Sequence, residues 1–588
     1  MIRFSYALLL FVAILTVVYF AILWFNGKFG VRHKHHLKVT TVKMTMVGTY
    51  VSIILLTISQ RLWNTSVFYF LLYPTTVFLF LITVVESDNS NKKYLLVSAM
   101  LLHLIVLSIV FPPSGIFIDE RTPALVKLDQ AKNWDPNSQM LNSYYNPFPM
   151  DLGLFYVFSE VTGFSYIDLL SGWIVAFLFV IAYDLTLFSL AKKISGSWKV
   201  GILSILLFTF TPPATINPQP QWLANFFILV FLFGLFKALK DVPSLSSIVL
   251  VNLSYATAIL LHGTAAIGVA VVTVLLALMC FGRRFGVNIA TTARHRSFLY
   301  VVSISVYIMT FGRWIILRGL EPVLNPLIGL VTDILGYGEI SWIGAQYVPL
   351  YDQFVSPISA YAWSVPIALA LAFVLYHLIT RVQKKSLSTV FASSLGITAA
   401  LLAFGGFLGS LFMAYGNLQR YLGYAGLVLF IPAAAIAFVR IVRLSTWKVL
   451  SIGLISIVLF SGIGICDPEF SPQLYSGITT VNPARSADLI EGKTLYIIIP
   501  NGMSVFATYE ILTAFSYLTI ESNSTGKVIY FGGSLKTHRI MVERLMEEGK
   551  AASGVTYVWT SEILKVAANV SVNVVYDSGR HVAVRGAG

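Results

Sequence analysis

The fold is decided by Tyr94-Leu-Leu-Val-Ser-Ala-Met-Leu-Leu-His-Leu-Ile-Val-Leu-Ser-Ile-Val-Phe111 together with the nearby stretch Gly115-Ile-Phe-Ile-Asp-Glu-Arg-Thr-Pro123. The first run is long and apolar enough to span a bilayer as a helix. Shortly beyond it stand two adjacent carboxylates, Asp119 and Glu120. An acidic pair is costly to hold near hydrocarbon, so one kept at the edge of a span is a candidate functional site.

Runs of the same kind recur outward from this one. They cover 4–25, 43–60, 66–85, 94–112, 166–190, 198–212, 222–239, 246–261, 264–282, 297–317, 361–380, 388–414, 421–439 and 447–466. The expectation is a polytopic α-helical membrane protein of about 14 transmembrane helices. With 57% hydrophobic residues, 11% charged residues and a mean hydropathy of +0.79, a soluble globular chain is excluded. The first run has no small-residue cleavage site and reads as a retained helix.

Charge sets the orientation. When successive loops alternate sides, one set holds 22 basic residues, from Lys28 to Lys448, against three acidic ones, Glu86, Asp88 and Asp241. The loops of the other set are net acidic. A bias of that size places the basic set in the cytoplasm and Asp119-Glu120 outside. It also accounts for the net charge of +14 without any nucleic acid partner. The expected location is the plasma membrane, multi-pass, with the acidic loops and the tail extracytoplasmic. The two cysteines, Cys280 and Cys466, provide no disulfide framework. Two sequons, Asn523-Ser-Thr525 and Asn569-Val-Ser571, lie in that tail.

The chain divides into three regions: 1–93 with additional N-terminal helices, 94–466 as the main membrane domain, and 467–588 as a separate tail. After Cys466 the composition turns polar, and Pro468, Pro472 and Pro483 mark a linker. β-branched runs at Thr494–Ile499, Lys527–Phe531, Val555–Trp559, Val572–Tyr576 and His581–Val584 alternate with helical patterns at Ser504–Leu518 and Leu535–Glu548. That alternation predicts a small C-terminal α/β domain with a largely parallel sheet. No phosphate-loop or dinucleotide motif occurs there, which suits docking or support.

Two outer loops are long, 113–165 and 319–360, and long connections in a compact protein are usually functional or disordered. Both are rich in aromatics, which argues against disorder. In the first, Leu125, Leu128 and Ala131 recur at helical spacing and predict an amphipathic helix on the membrane surface. The acidic pair then has two readings. It is a first-turn complement to that helix's dipole, or a partly desolvated general base that takes a proton from an attacking hydroxyl.

Phe117-Ile-Asp-Glu120 after an early outward span, a surface helix, then Tyr144-Tyr-Asn-Pro-Phe-Pro149 and a second surface segment together resemble GT-C class glycosyltransferases. The pattern is similar to protein O-mannosyltransferases and aminoarabinose transferases. It covers roughly 94–466, and the three spans before Tyr94 are additional to the usual family core. The resemblance implies a GT-C-like catalytic domain and an inverting transfer of a sugar from a polyprenyl- or dolichyl-phosphate-linked donor. The acceptor would be a hydroxyl of a glycan, protein or lipid on the extracytoplasmic side, with Asp119 and Glu120 matching the family's acidic pair. It also implies that Arg420, in Gly416-Asn-Leu-Gln-Arg-Tyr421, holds the lipid phosphate, a task suited to a forked guanidinium. A snorkelling interfacial arginine is the other reading of Arg420, and Arg121 either shares the phosphate or pairs with Glu120.

Three further positions fit a donor site. His262, in Leu261-His-Gly263, stands at an outer helix turn, where related enzymes often carry a histidine and where a lone histidine is more often structural. Gln221 closes a proline-rich outer loop and either meets sugar hydroxyls or finishes a turn. Tyr347 suits stacking on sugar or lipid, although aromatic belts populate interfaces regardless of function. There is no Trp-Trp-Asp sequence of the kind that marks oligosaccharyltransferases, which disfavours en bloc transfer to asparagine. No cofactor follows with certainty from the sequence, and no clustered His/Cys/Asp constellation suggests zinc; Asp119 and Glu120 offer oxygen ligands to a divalent cation such as magnesium or manganese. The alternative function is a transporter or flippase for a lipid-linked glycan. Such a protein places ionisable groups near the midplane, and here Asp184 is the only acidic residue well inside a span.

The charge reading makes a direct prediction. Single cysteines engineered at Asp135, Ile340 and Ile540 all react with an impermeant thiol reagent added from outside. Reaction from the cytoplasmic side at any of the three overturns the orientation.

Overall fold

The computed structural model describes residues 12–24, 43–44, 47–52, 54–55, 66–110, 157–164, 173–209, 220–261, 265–281, 293–316, 357–379, 386–411, 429–442, 494–495, 497–498 and five strands between 504 and 586. By compactness the chain divides into two units. One comprises Met1–Ile109, Ala176–Tyr351 and Val355–Phe470; the other comprises Val110–Val175, Asp352–Phe354 and Ser471–Gly588.

The first unit is a helix bundle. Its described helices are α1 (Val12–Trp24), α2 (Ser66–Glu86), α3 (Lys92–Val110), α4 (Trp173–Ser195), α5 (Trp198–Thr209) and α6 (Pro220–Lys240). They continue as α7 (Leu245–Leu261), α8 (Ala265–Phe281), α9 (Ala293–Ile316), α10 (Pro357–Ile379), α11 (Leu387–Leu411) and α12 (Leu429–Val442). Local chemistry sets their ends. Pro220 and Pro357 open α6 and α10, where a missing N–H costs nothing. Ser244 and Ser386 cap α7 and α11, their hydroxyls accepting from the N–H of Ser247 and Thr389 at 3.2 and 3.3 Å. Gly196, at φ +72°, takes the left-handed conformation that ends α4 and lets α5 start two residues later.

These ends move some expected boundaries. The run anticipated at 166–190 is described as helix from Trp173 and continues to Ser195, because nothing stops it before Gly196. Of the span anticipated at 421–439, the described part is helical and runs on to Val442. The span at 447–466 lies outside the described residues. By length and composition one window, Leu223–Lys240, passes as a membrane crossing among the described residues; the shorter apolar helices include α5, α7 and α12.

Polar groups are handled as hydrocarbon demands. Thr83, Ser98, Thr186, Ser204, Ser254, Thr310 and Ser394 each donate to the carbonyl four residues back, at 2.6–2.9 Å. The apolar side chains point both ways. Leu81, Val84, Leu232, Leu276 and Phe391 are buried between helices, whereas Tyr94, Val97 and Leu101 on α3 and Leu245, Val249 and Leu253 on α7 form exposed stripes. Long apolar stripes facing outward, with polar groups turned inward, describe a bundle embedded in a membrane.

Packing is closest where glycine removes a side chain. A Cβ at Gly201 on α5 would come within 2.6 Å of Phe188 Cδ2 and 2.9 Å of the Phe188 carbonyl oxygen on α4. One at Gly396 on α11 would come within 2.7 Å of Val374 Cγ2 on α10.

The second unit contains a five-stranded sheet of order β2-β1-β3-β5-β4, built from β1 (Ser504–Ala507), β2 (Val528–Phe531), β3 (Val555–Thr560), β4 (Val572–Asp577) and β5 (His581–Gly586). Pairs β1–β2 and β1–β3 are parallel; β3–β5 and β5–β4 are antiparallel. The sheet is therefore mixed, not largely parallel: only three residues separate β4 from β5, too few for a crossover, so they must form a hairpin. Two local expectations fail. Residues 494–495 and 497–498, anticipated as strand, are helical. Ser504–Ala507, anticipated as the first turn of a helix, is strand, because Val505 and Phe506 gain ladder partners on both sides and pairing overrides helical periodicity.

The Gly201 contact yields a stability prediction. Gly201→Val forces its branched side chain into the Phe188 ring and carbonyl and costs roughly 1–3 kcal/mol. Thermal unfolding of the purified protein in detergent should show a lower midpoint; an unchanged midpoint would mean that α4 and α5 are not this close.

Candidate functional site

Of the residues singled out for the site, Asp119, Glu120, Arg121, His262, Tyr347 and Arg420 lie outside the described residues. Gln221 is described as the second residue of α6. What is visible is the scaffold on which these positions are hung. Asp119 stands nine positions beyond the last residue of α3, His262 stands directly beyond the last residue of α7, and Arg420 falls between α11 and α12.

Contacts knit together the opposite helix ends. Lys199, opening α5, donates from Nζ to the Val85 carbonyl near the end of α2 at 2.5 Å. Lys193, closing α4, pairs with Asp241, just past α6, at 3.5 Å. The Asp241 carbonyl accepts from Nε2 of His295, near the start of α9, at 2.8 Å. Near the ends of α10 and α12, Arg440 Nη1 donates to His377 Nε2 at 2.6 Å and lies over the Phe373 ring. The ends of α2, α4 and α6 and the starts of α5 and α9, all of which the charge pattern assigned to one side, are thus physically gathered. The helix termini that lead to Asp119, Gln221 and His262 are the other ends of α3, α6 and α7.

Inside the bundle lies a polar pair. His103 on α3 donates from Nδ1 to Asp184 on α4, at 2.9 Å to Oδ1 and 3.0 Å to Oδ2, and both side chains are fully buried. Aromatic rings close around it: Phe208 meets His103 edge-on at 5.6 Å and stacks on Tyr183 at 4.8 Å. The Tyr183 hydroxyl and the Asn225 amide nitrogen are buried without a hydrogen-bond partner among the described residues. Asp184 was legible in the sequence as an intramembrane carboxylate, but its partner was not singled out. The signal was present: His103 is the one ionisable residue inside an otherwise apolar run, and a charge at that depth needs a partner.

Among the described residues no group of three or more histidine, cysteine, aspartate or glutamate side chains is placed to hold a metal ion.

No protein-family model matches the chain, and no curated protein matches it. Solved structures similar to it include the archaeal oligosaccharyltransferase AglB from Archaeoglobus fulgidus in complex with an inhibitory peptide and a dolichol-phosphate. That match has 10% identity and a TM-score of 0.45, and covers 80% of this chain and 69% of that one. The A. fulgidus oligosaccharyltransferase in complex with Zn and sulfate matches at 9% identity and a TM-score of 0.41, over 74% of this chain and 62% of that one. ArnT from Cupriavidus metallidurans bound to undecaprenyl phosphate matches at 11% identity and a TM-score of 0.34, over 84% and 98%.

Breaking the buried pair has a definite sign. His103→Leu or Asp184→Leu alone leaves one polar partner buried without its mate and should cost roughly 3–5 kcal/mol, whereas the double replacement should cost far less than the two together. Unfolding by denaturing detergent in mixed micelles measures the cycle; additive costs would show that the two side chains do not act as a unit.

Proposed function

We propose that this chain is an inverting glycosyltransferase that moves a sugar from a polyprenyl-phosphate-linked donor to an acceptor hydroxyl on the extracytoplasmic side of the plasma membrane. The observation that carries the reading is the acidic pair Asp119-Glu120, set nine residues beyond a membrane helix in the Phe117-Ile-Asp-Glu120 context that resembles GT-C enzymes. Residues 94–466 form the catalytic domain and 1–93 add helices to it. Residues 467–588 form a small α/β domain, for which the sheet is described and the stretches where helices are expected lie outside the described residues.

The chemistry is one of charge. Asp119, with Glu120 beside it, takes the proton of the acceptor hydroxyl as its oxygen attacks the anomeric carbon from the face opposite the phosphate. The bond between that carbon and the phosphate oxygen breaks, and the electron pair leaves with the polyprenyl phosphate. Arg420 and Arg121 meet the negative charge that develops there, where fixed guanidinium donors contribute most. His262, Gln221 and Tyr347 supply hydrogen bonds and a stacking face for the sugar. A divalent cation, if the site takes one, has two carboxylates of the oxygen chemistry it prefers in Asp119 and Glu120, and would add positive charge beside the departing phosphate.

The transporter reading is less well supported. Its best residue, Asp184, is fully buried and engaged by His103, so it is not open to a permeating substrate.

The test separates base from binder. Asp119→Asn keeps the shape and removes the basic oxygen, so transfer from a polyprenyl-phosphate sugar should fall by about 10²–10⁴-fold while lipid-phosphate binding persists. Arg420→Ala should instead weaken binding of the bare polyprenyl phosphate by roughly tenfold to a hundredfold. Wild-type transfer by Asp119→Asn returns the acidic pair to a helix-dipole role.

A further inference from the structure

We infer that the basic end of the bundle binds the phosphate of an anionic membrane phospholipid between α3 and α4, at Lys92, Lys93 and Lys192. The inference rests on the membrane-embedded reading and is independent of glycosyl transfer.

The two helices are antiparallel neighbours, joined in their interior by His103 and Asp184. At their basic end Lys92 and Lys93 open α3 and Lys192 stands in the last turn of α4, and the neighbouring Lys192 charge holds Lys92 below the ordinary lysine range. Lys93 adds a third positive charge beside them. Among the described residues no carboxylate lies within ion-pair distance of Lys92 or Lys192; Asp241 is engaged by Lys193. Like charges gathered this closely are stable when an anion lies between them, and a phosphate has oxygens enough to serve several ammonium groups at once.

The surface below the lysines says which anion. On α3, Tyr94, Val97 and Leu101 are 62%, 55% and 44% exposed, and Lys93 falls on the same face at the helical spacing. On α4, Leu178 and Leu185 are exposed, and Lys192 comes after Leu185 at the same seven-residue interval. Each helix thus carries a bare apolar stripe that ends in lysine at the same end of the pair. A free phosphate ion has nothing to place on those stripes. A phospholipid lays its acyl chains along them and its headgroup phosphate among the lysines, the arrangement by which basic pockets between membrane helices recognise anionic lipids.

Native mass spectrometry of the full-length protein from detergent, titrated with phosphatidylglycerol, phosphatidylcholine or inorganic phosphate, tests the inference. Wild type should retain phosphatidylglycerol in preference to phosphatidylcholine, and inorganic phosphate should not displace it. Lys92→Gln/Lys192→Gln should lose roughly thirtyfold in phosphatidylglycerol affinity. Lys237→Gln/Lys240→Gln, which removes the same charge elsewhere, should bind as wild type does, and the charge-preserving Lys92→Arg/Lys192→Arg should retain the lipid. Equal binding of the two lipids, undiminished binding by Lys92→Gln/Lys192→Gln, or an equal loss in the Lys237→Gln/Lys240→Gln protein overturns the site. Displacement by inorganic phosphate overturns the lipid assignment in favour of a free anion. None of these outcomes depends on whether Asp119 is a catalytic base.

Discussion

One constraint governs most of the bundle's polar groups: a polar group surrounded by hydrocarbon must find its partner within the protein. Serine and threonine hydroxyls turn back on their own helices, as Thr83 does to Leu79 and Thr310 to Val306. Tyr255 reaches across from α7 to Thr310 on α9 at 2.5 Å. The largest demand comes from Asp184, and His103 meets it with a single ring nitrogen shared between two oxygens. Where the partner stands on another helix, satisfying polarity also fixes which helices are neighbours.

Close packing works alongside this. Lipid tails are as apolar as leucine, so apolar side chains gain little by meeting one another instead of lipid, and helix association depends on fit. Gly201 against Phe188 and Gly396 against Val374 bring backbones together where any side chain would collide. The ends gathered by Lys199, Lys193, Asp241 and His295 then hold the short turns in place. Helices pinned at one end in this way can carry connections at their other ends without being deformed themselves.

Much of this was legible in the sequence because hydrocarbon imposes a coarse code. The apolar runs from 66 to 281 give helices within a few residues of their expected limits, and the stops come from Gly196, Ser244 and the prolines, whose effects are local. Pairing was less legible. Asp184 announced itself by charge, but that it meets His103 depends on which faces α3 and α4 turn to each other, and no local spacing encodes that. The tail shows the same limit. Val528–Phe531, Val555–Thr560, Val572–Asp577 and His581–Gly586 read as strands from composition, whereas Ser504–Ala507 is a strand only because β2 and β3 flank it. Of the proposed site, the acidic pair and the arginines read from the sequence as chemistry at a boundary, and their placement lies outside the described residues.

The order β2-β1-β3-β5-β4 places β5 inside the sheet, between two strands that precede it in the chain. Among the described strands β3 and β4 do not pair with each other, and β5 links the parallel half of the sheet to β4. The sheet therefore cannot close while residues 581–586 are still being made, however long β1, β2 and β3 have waited. Membrane helices are set down in order as the chain emerges, but this sheet must remain open until β5 has been made, with strand edges exposed to any other chain that offers a match. Its assembly is a matter of timing as much as of affinity.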